Sequence, residues 1–124
     1  MSRLEFARLF AAVAALSLFL ASLIHFGYLV EGYDDRGAAV PEAVIGAVMV
    51  VGLALSWVSP PWGHRALIGG LVFGLAGSIL GLVLVFIGVG PQTTPDIVYH
   101  VLLVTALVVG LFVAATSGTG PSSD

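Results

Sequence analysis

Apolar residues run almost unbroken along this chain, interrupted at three places by short stretches rich in proline, glycine and polar side chains. The interruptions leave four segments, roughly residues 6–30, 41–58, 66–89 and 96–117. A helix of about 20 apolar residues spans the hydrocarbon core of a bilayer, and backbone in lipid must be helical or part of a closed barrel. The pattern predicts an all-α fold, an integral membrane four-helix bundle. One domain fills residues 1–117, and the polar, glycine-rich stretch 118–124 reads as a flexible tail.

Composition narrows the class further. Hydrophobic residues make up 59% and charged residues 9%, against about 25% charged in a soluble domain. The lipid bilayer is the expected partner, and a multi-pass place in the cell membrane the expected location. A net charge of −3 gives no footing for nucleic acid. The absence of cysteine excludes disulfides and thiolate metal sites. Arg3 and Arg8 precede an apolar run, as in a signal peptide, but the run is longer than such a region and no cleavage pattern follows it. A retained first helix is expected.

The arginines also suggest an orientation. Arg3, Arg8 and Arg65 flank the first helix and the second loop, whereas only Arg36 lies in the other two loops. Positive residues favour the cytoplasmic side, so both termini are expected there. Pro41-Glu42 and Pro95-Asp96 form an echo at the opposite, outer end. Each reads as a helix start, with proline at the first helical position and a carboxylate meeting the positive end of the helix dipole. Thr94 reads as the N-cap of the last helix.

Gly70, Gly74, Gly77, Gly81 and Gly88 fall along one face of the third helix. Small residues let helices approach closely in lipid, so this face reads as a packing surface, within the bundle or toward a homo-oligomer or larger membrane complex. Gly52 lies away from it.

Ionisable groups inside membrane helices are costly and point to function. His25 lies near the outer end of the first helix and His100 near the outer start of the fourth. With the boundaries above, both sit roughly 7–8 Å inside their helix ends. Asp96 is one turn from His100, Tyr28 shares the face of His25, and Glu42 and Tyr99 lie at a similar level. His25, His100, Asp96, Glu42, Tyr28 and Tyr99 are therefore the expected ligand-binding set. His25, His100 and Asp96 are candidate ligands of a divalent metal, and the two histidines candidate axial ligands of haem b. His64 reads as an interfacial loop residue, and Glu5 with Arg8 as a surface pair.

The stretch Ile87-Gly88-Val89-Gly90-Pro91-Gln92-Thr93-Thr94-Pro95-Asp96-Ile97-Val98-Tyr99-His100 resembles a motif of small four-helix membrane proteins of uncharacterised function. The likeness extends to Ile24-His25 and Pro41-Glu42-Ala43. It implies the same architecture and brings no activity with it. No serine–histidine–acid pattern, Walker loop or HExxH motif occurs, which favours binding or conduction of a metal ion or protons over an enzyme. Haem binding and a purely structural subunit are the alternatives.

Overall fold

The computed structural model describes residues 1–117, and the tail read at 118–124 lies outside the described residues. The described residues form four helices: α1 (Arg3–His25), α2 (Arg36–Val58), α3 (Pro60–Phe86) and α4 (Thr94–Thr116). All four are long and apolar enough to cross a membrane. They form a ring in which α1 packs on α2 and α4, and α3 packs on the same two, with only a slight α1–α3 contact across the diagonal. Leu16, Leu20, Leu80 and Phe112 are among the large apolar side chains left on the outside. Such a surface suits lipid and would be unfavourable in water.

Helix ends depart from the sequence expectation, and local capping explains each case. Helix α1 begins at Arg3 because Ser2 and Glu5 form a reciprocal capping box. It stops at His25, before residue 30, because Gly27 takes φ 79°. The Gly27 amide donates to Ile24 O at 2.9 Å and the Tyr28 amide to Leu23 O at 3.1 Å. That is the Schellman arrangement, in which a left-handed glycine closes the last turn. Gly88 closes α3 identically, with φ 91° and a hydrogen bond donated by the Val89 amide to Leu84 O.

Helix α2 begins earlier than residue 41 because Asp35 caps it, accepting from the amides of Gly37 and Ala38. Pro41 therefore lies inside the helix and is not its first residue. Helix α3 begins at Pro60, so the expected loop 59–65 shrinks to Ser59, which ends α2 and starts α3. For α4 the N-cap is Thr93, one residue before the expected Thr94.

Alanine lines the buried side of α1: Ala7, Ala11, Ala14 and Ala15 lead to Leu18, against Ile45, Met49 and Leu53 of α2, Leu67 and Leu71 of α3, and Leu103 and Leu107 of α4. The α3 glycines differ in what they meet. At Gly70 an added Cβ would lie 3.4 Å from the Met49 Cα, at Gly77 it would strike the Ile45 side chain, and at Gly81 it would come within 2.9 Å of His100 Nε2. Gly52, expected to lie apart, makes one of the closest approaches. A Cβ there would be 2.5 Å from Ala66 O, a backbone atom that cannot swing aside.

Gly52→Ala should therefore cost about 1–3 kcal/mol through overpacking. At Gly69 nothing lies within 4 Å of an added Cβ, so Gly69→Ala should stabilise by about 0.5–1 kcal/mol through helix propensity. Thermal unfolding of both variants in one detergent checks the opposite signs.

Candidate functional site

Three ionisable side chains from three helices meet at one end of the ring. The last residue of α1, His25, is 4% exposed, Glu42 of α2 is 7% exposed and Asp96 of α4 is 9% exposed. His25 Nδ1 lies 2.7 Å from Glu42 Oε2, a hydrogen bond. His25 Nε2 lies 3.7 Å from Asp96 Oδ1, within ion-pair range but beyond a hydrogen bond. The two carboxylates of the Pro-acid echo thus address opposite nitrogens of one imidazole.

Backbone construction puts them there. The Asp35 amide donates to His25 O at 2.8 Å, so the residue that caps α2 also holds the end of α1. With the helix start at Arg36, Glu42 sits about two turns inside α2. A helix dipole acts within the first turn, so the helix-start explanation does not apply to Glu42. Asp96 is different. Its amide donates to Thr93 Oγ1, and the Thr93 hydroxyl donates back to Asp96 Oδ2. Capping engages one carboxylate oxygen and leaves Oδ1 toward His25.

His100 lies beside this cluster and has its own partner. Its Nδ1 is 2.8 Å from Asp96 O, a carbonyl that can only accept, so the proton is on Nδ1. Its Nε2 packs over Gly81. The expected match in depth fails, since His25 ends α1 while His100 lies about two turns into α4. The early Schellman turn at Gly27 is the cause. The same turn carries Tyr28 away: it is 74% exposed and packs against Phe26 instead of sharing a helical face with His25. Tyr99 stays close, half-buried, with its hydroxyl 3.4 Å from Ser17 Oγ.

His25, Glu42, Asp96, Tyr99 and His100 all line one cavity of about 240 Å³. Its remaining wall is mostly apolar, with Leu18, Ile45, Leu84, Val85 and Leu103 among the lining residues. Ser78 of α3 also lines it; a serine inside a helix usually bonds back to the preceding turn, yet its buried hydroxyl has no hydrogen-bond partner. A second cavity, of about 450 Å³ between α1, α4 and the first loop, is lined by His25, Asp96 and Tyr99 from the other side. Those three residues stand between the two spaces. Among the described residues no group of three or more His, Asp and Glu is gathered closely enough to hold a metal ion.

At the opposite end, polar residues serve as cross-helix caps. Arg8 donates to Ser56 O and, at 3.0 Å, to Ser56 Oγ, with its guanidinium 5.3 Å from the Trp57 ring centroid. No bond joins it to Glu5, which is engaged with Ser2. His64 is on α3, not in a loop, and its Nε2 lies 2.8 Å from Ala114 O near the end of α4. The expectation that His64 is an interfacial loop residue is thereby corrected.

No family profile, curated protein or solved structure matches the chain. What it does must be argued from the site itself.

Removing one member of a buried ionic pair leaves the other uncompensated, at about 3–5 kcal/mol. His25→Leu should lose about that much stability, and the double variant His25→Leu, Glu42→Leu should regain most of it. Equilibrium unfolding in mixed micelles measures both; equal losses would mean that Glu42 draws nothing from His25.

Proposed function

We propose that the chain is a membrane protein that binds a small cation at the His25 end, and that the cation the site itself holds is a proton. One observation carries this reading: a histidine faces a carboxylate at each nitrogen. The 2.7 Å contact with Glu42 requires one proton between Nδ1 and Oε2. Neutral His25 then turns a lone pair on Nε2 toward the Asp96 oxygen, so two acceptors face each other. A second proton on Nε2 converts that contact into an attractive one and gives an imidazolium between two carboxylates. His25, Asp96 and Tyr99 line both cavities, so a proton held there has open space beside it through which it can be exchanged.

A divalent metal ion is the second reading. Both His25 and His100 have Nδ1 tied to an acceptor, which is how metal-bound histidines are commonly oriented with Nε2 left for the ion. It ranks lower because, among the described residues, no three such side chains are gathered closely enough to hold a metal ion. Haem gains less still, since His25 Nε2 faces Asp96 and His100 Nε2 packs over Gly81.

Two measurements test these proposals. Nitrogen-15 spectra of ring-labelled histidine, recorded from about pH 5 to 9 around the ordinary histidine range, should show His25 both singly and doubly protonated. A single form throughout would remove the proton reading. For orientation, the arginine bias supports cytoplasmic termini with the His25 end outward. An impermeant thiol reagent should then label Asp34→Cys but not Trp62→Cys in intact cells; the reverse pattern would turn the site inward.

A further inference from the structure

The cavity beside His25 has a definite polarity. His25 Nε2, Asp96 Oδ1 and His100 Nε2 each lack a donor: the imidazole N–H groups point from Nδ1 to Glu42 and to Asp96 O, and Asp96 accepts from the Thr93 hydroxyl at its other oxygen. The Ser78 hydroxyl is 3% exposed and unpartnered, and it can accept or donate. No basic side chain lines the space apart from the two imidazoles. Acceptors on an otherwise apolar wall select a ligand that brings donors and positive charge at one end and hydrocarbon at the other. The volume of about 240 Å³ lies just under the range of about 300–1,000 Å³ that holds drug-sized ligands. The ligand is therefore compact.

We infer that this cavity binds a small organic cation, a primary ammonium on a short apolar body, in exchange for the proton on His25 Nε2. The inference rests on the reading of His25 as a proton-holding group. An ammonium nitrogen about 2.9 Å from both Nε2 and Oδ1 forms a triangle on their 3.7 Å separation, with its third N–H free for Ser78. Charge then balances: the ammonium enters, the Nε2 proton leaves to solvent, and the two carboxylates keep the same countercharge. The groups that face His25 are accounted for from each packed element. Glu42 and Asp35 come from α2 and its cap, Asp96, Tyr99 and His100 from α4, while α3 offers only Ser78. Of these, His25 is the one whose proton would lie on the nitrogen turned toward the Asp96 oxygen, where the ammonium enters.

The test uses the full chain without a polyhistidine tag, in nanodiscs, with empty nanodiscs as the blank. Cyclohexylamine is titrated calorimetrically against cyclohexanol, which has the same shape and no charge. Binding of the amine at least tenfold tighter than the alcohol is expected, with about one proton released, read from heats in two buffers of different ionisation enthalpy. Asp96→Asn should weaken the amine at least tenfold. Since that variant also disturbs the α4 cap, Ser78→Ala serves as the second: it removes a hydroxyl without a partner, leaves the fold intact, and should weaken the amine several-fold. Equal affinity for alcohol and amine, binding without proton release, or indifference to both variants would overturn the inference. Failure of the underlying reading looks different. A His25 nitrogen spectrum with one protonation form removes the proton site, whereas two forms and no amine binding remove only the cavity's assignment.

Discussion

A carboxylate two turns inside an apolar helix must be neutralised without disturbing the backbone bonds that lipid makes obligatory. Glu42 meets that demand through His25, and much of the molecule follows from it. The pair can form only if α1 ends at His25, if α2 begins beside it, and if Asp35 ties the two ends together. Asp96 then completes the cluster from α4. The bundle is held there by a polar contact between three helices, and elsewhere by close apolar packing.

That packing is divided by residue size. Alanines of α1 let its neighbours close in on the core, and Gly52 and Gly70 do the same between α2 and α3. Toward the His25 end the contact changes character. Gly77 receives the Ile45 side chain and Gly81 receives the His100 ring, so α3 stands off there and a cavity opens between the helices. One face of one helix thus gives tight association at one end and a cavity at the other.

The four spans were legible because twenty-residue apolar runs leave lipid-crossing helices as the natural outcome. Their ends were less so, although the signals were present. Ser2 with Glu5, Asp35, Gly27 and Gly88 are ordinary capping residues, but hydropathy outweighed them and moved each boundary. Those shifts altered the site. Ending α1 at residue 30 put Tyr28 beside His25 and matched His25 in depth with His100; ending it at His25 exchanges both for Glu42 and Asp96. The echo of Pro41-Glu42 and Pro95-Asp96 was visible in sequence, yet only the packed helices bring both carboxylates to one imidazole. The unpartnered hydroxyl of Ser78 had no sequence signal, since a serine in a helix normally bonds to its own preceding turn.

The polar bonds divide in a further way. Arg8 with Ser56, Ser22 with Ala39 O and His25 with Glu42 all join α1 to α2. His64 with Ala114 O joins α3 to α4, while His100 and Thr93 bond Asp96 within the last hairpin itself. Among the described residues, only the contacts of His25 with Asp96 and of Ser17 with Tyr99 cross between the halves. Each pair of helices therefore carries its own remedy for nearly every group that lipid would punish. In the two-stage view of membrane folding, helices insert first and associate afterwards. By that logic each hairpin here needs its companion for few of its polar groups. Their meeting is left with little electrostatic debt to settle, apart from the one acceptor-rich corner where the two halves join.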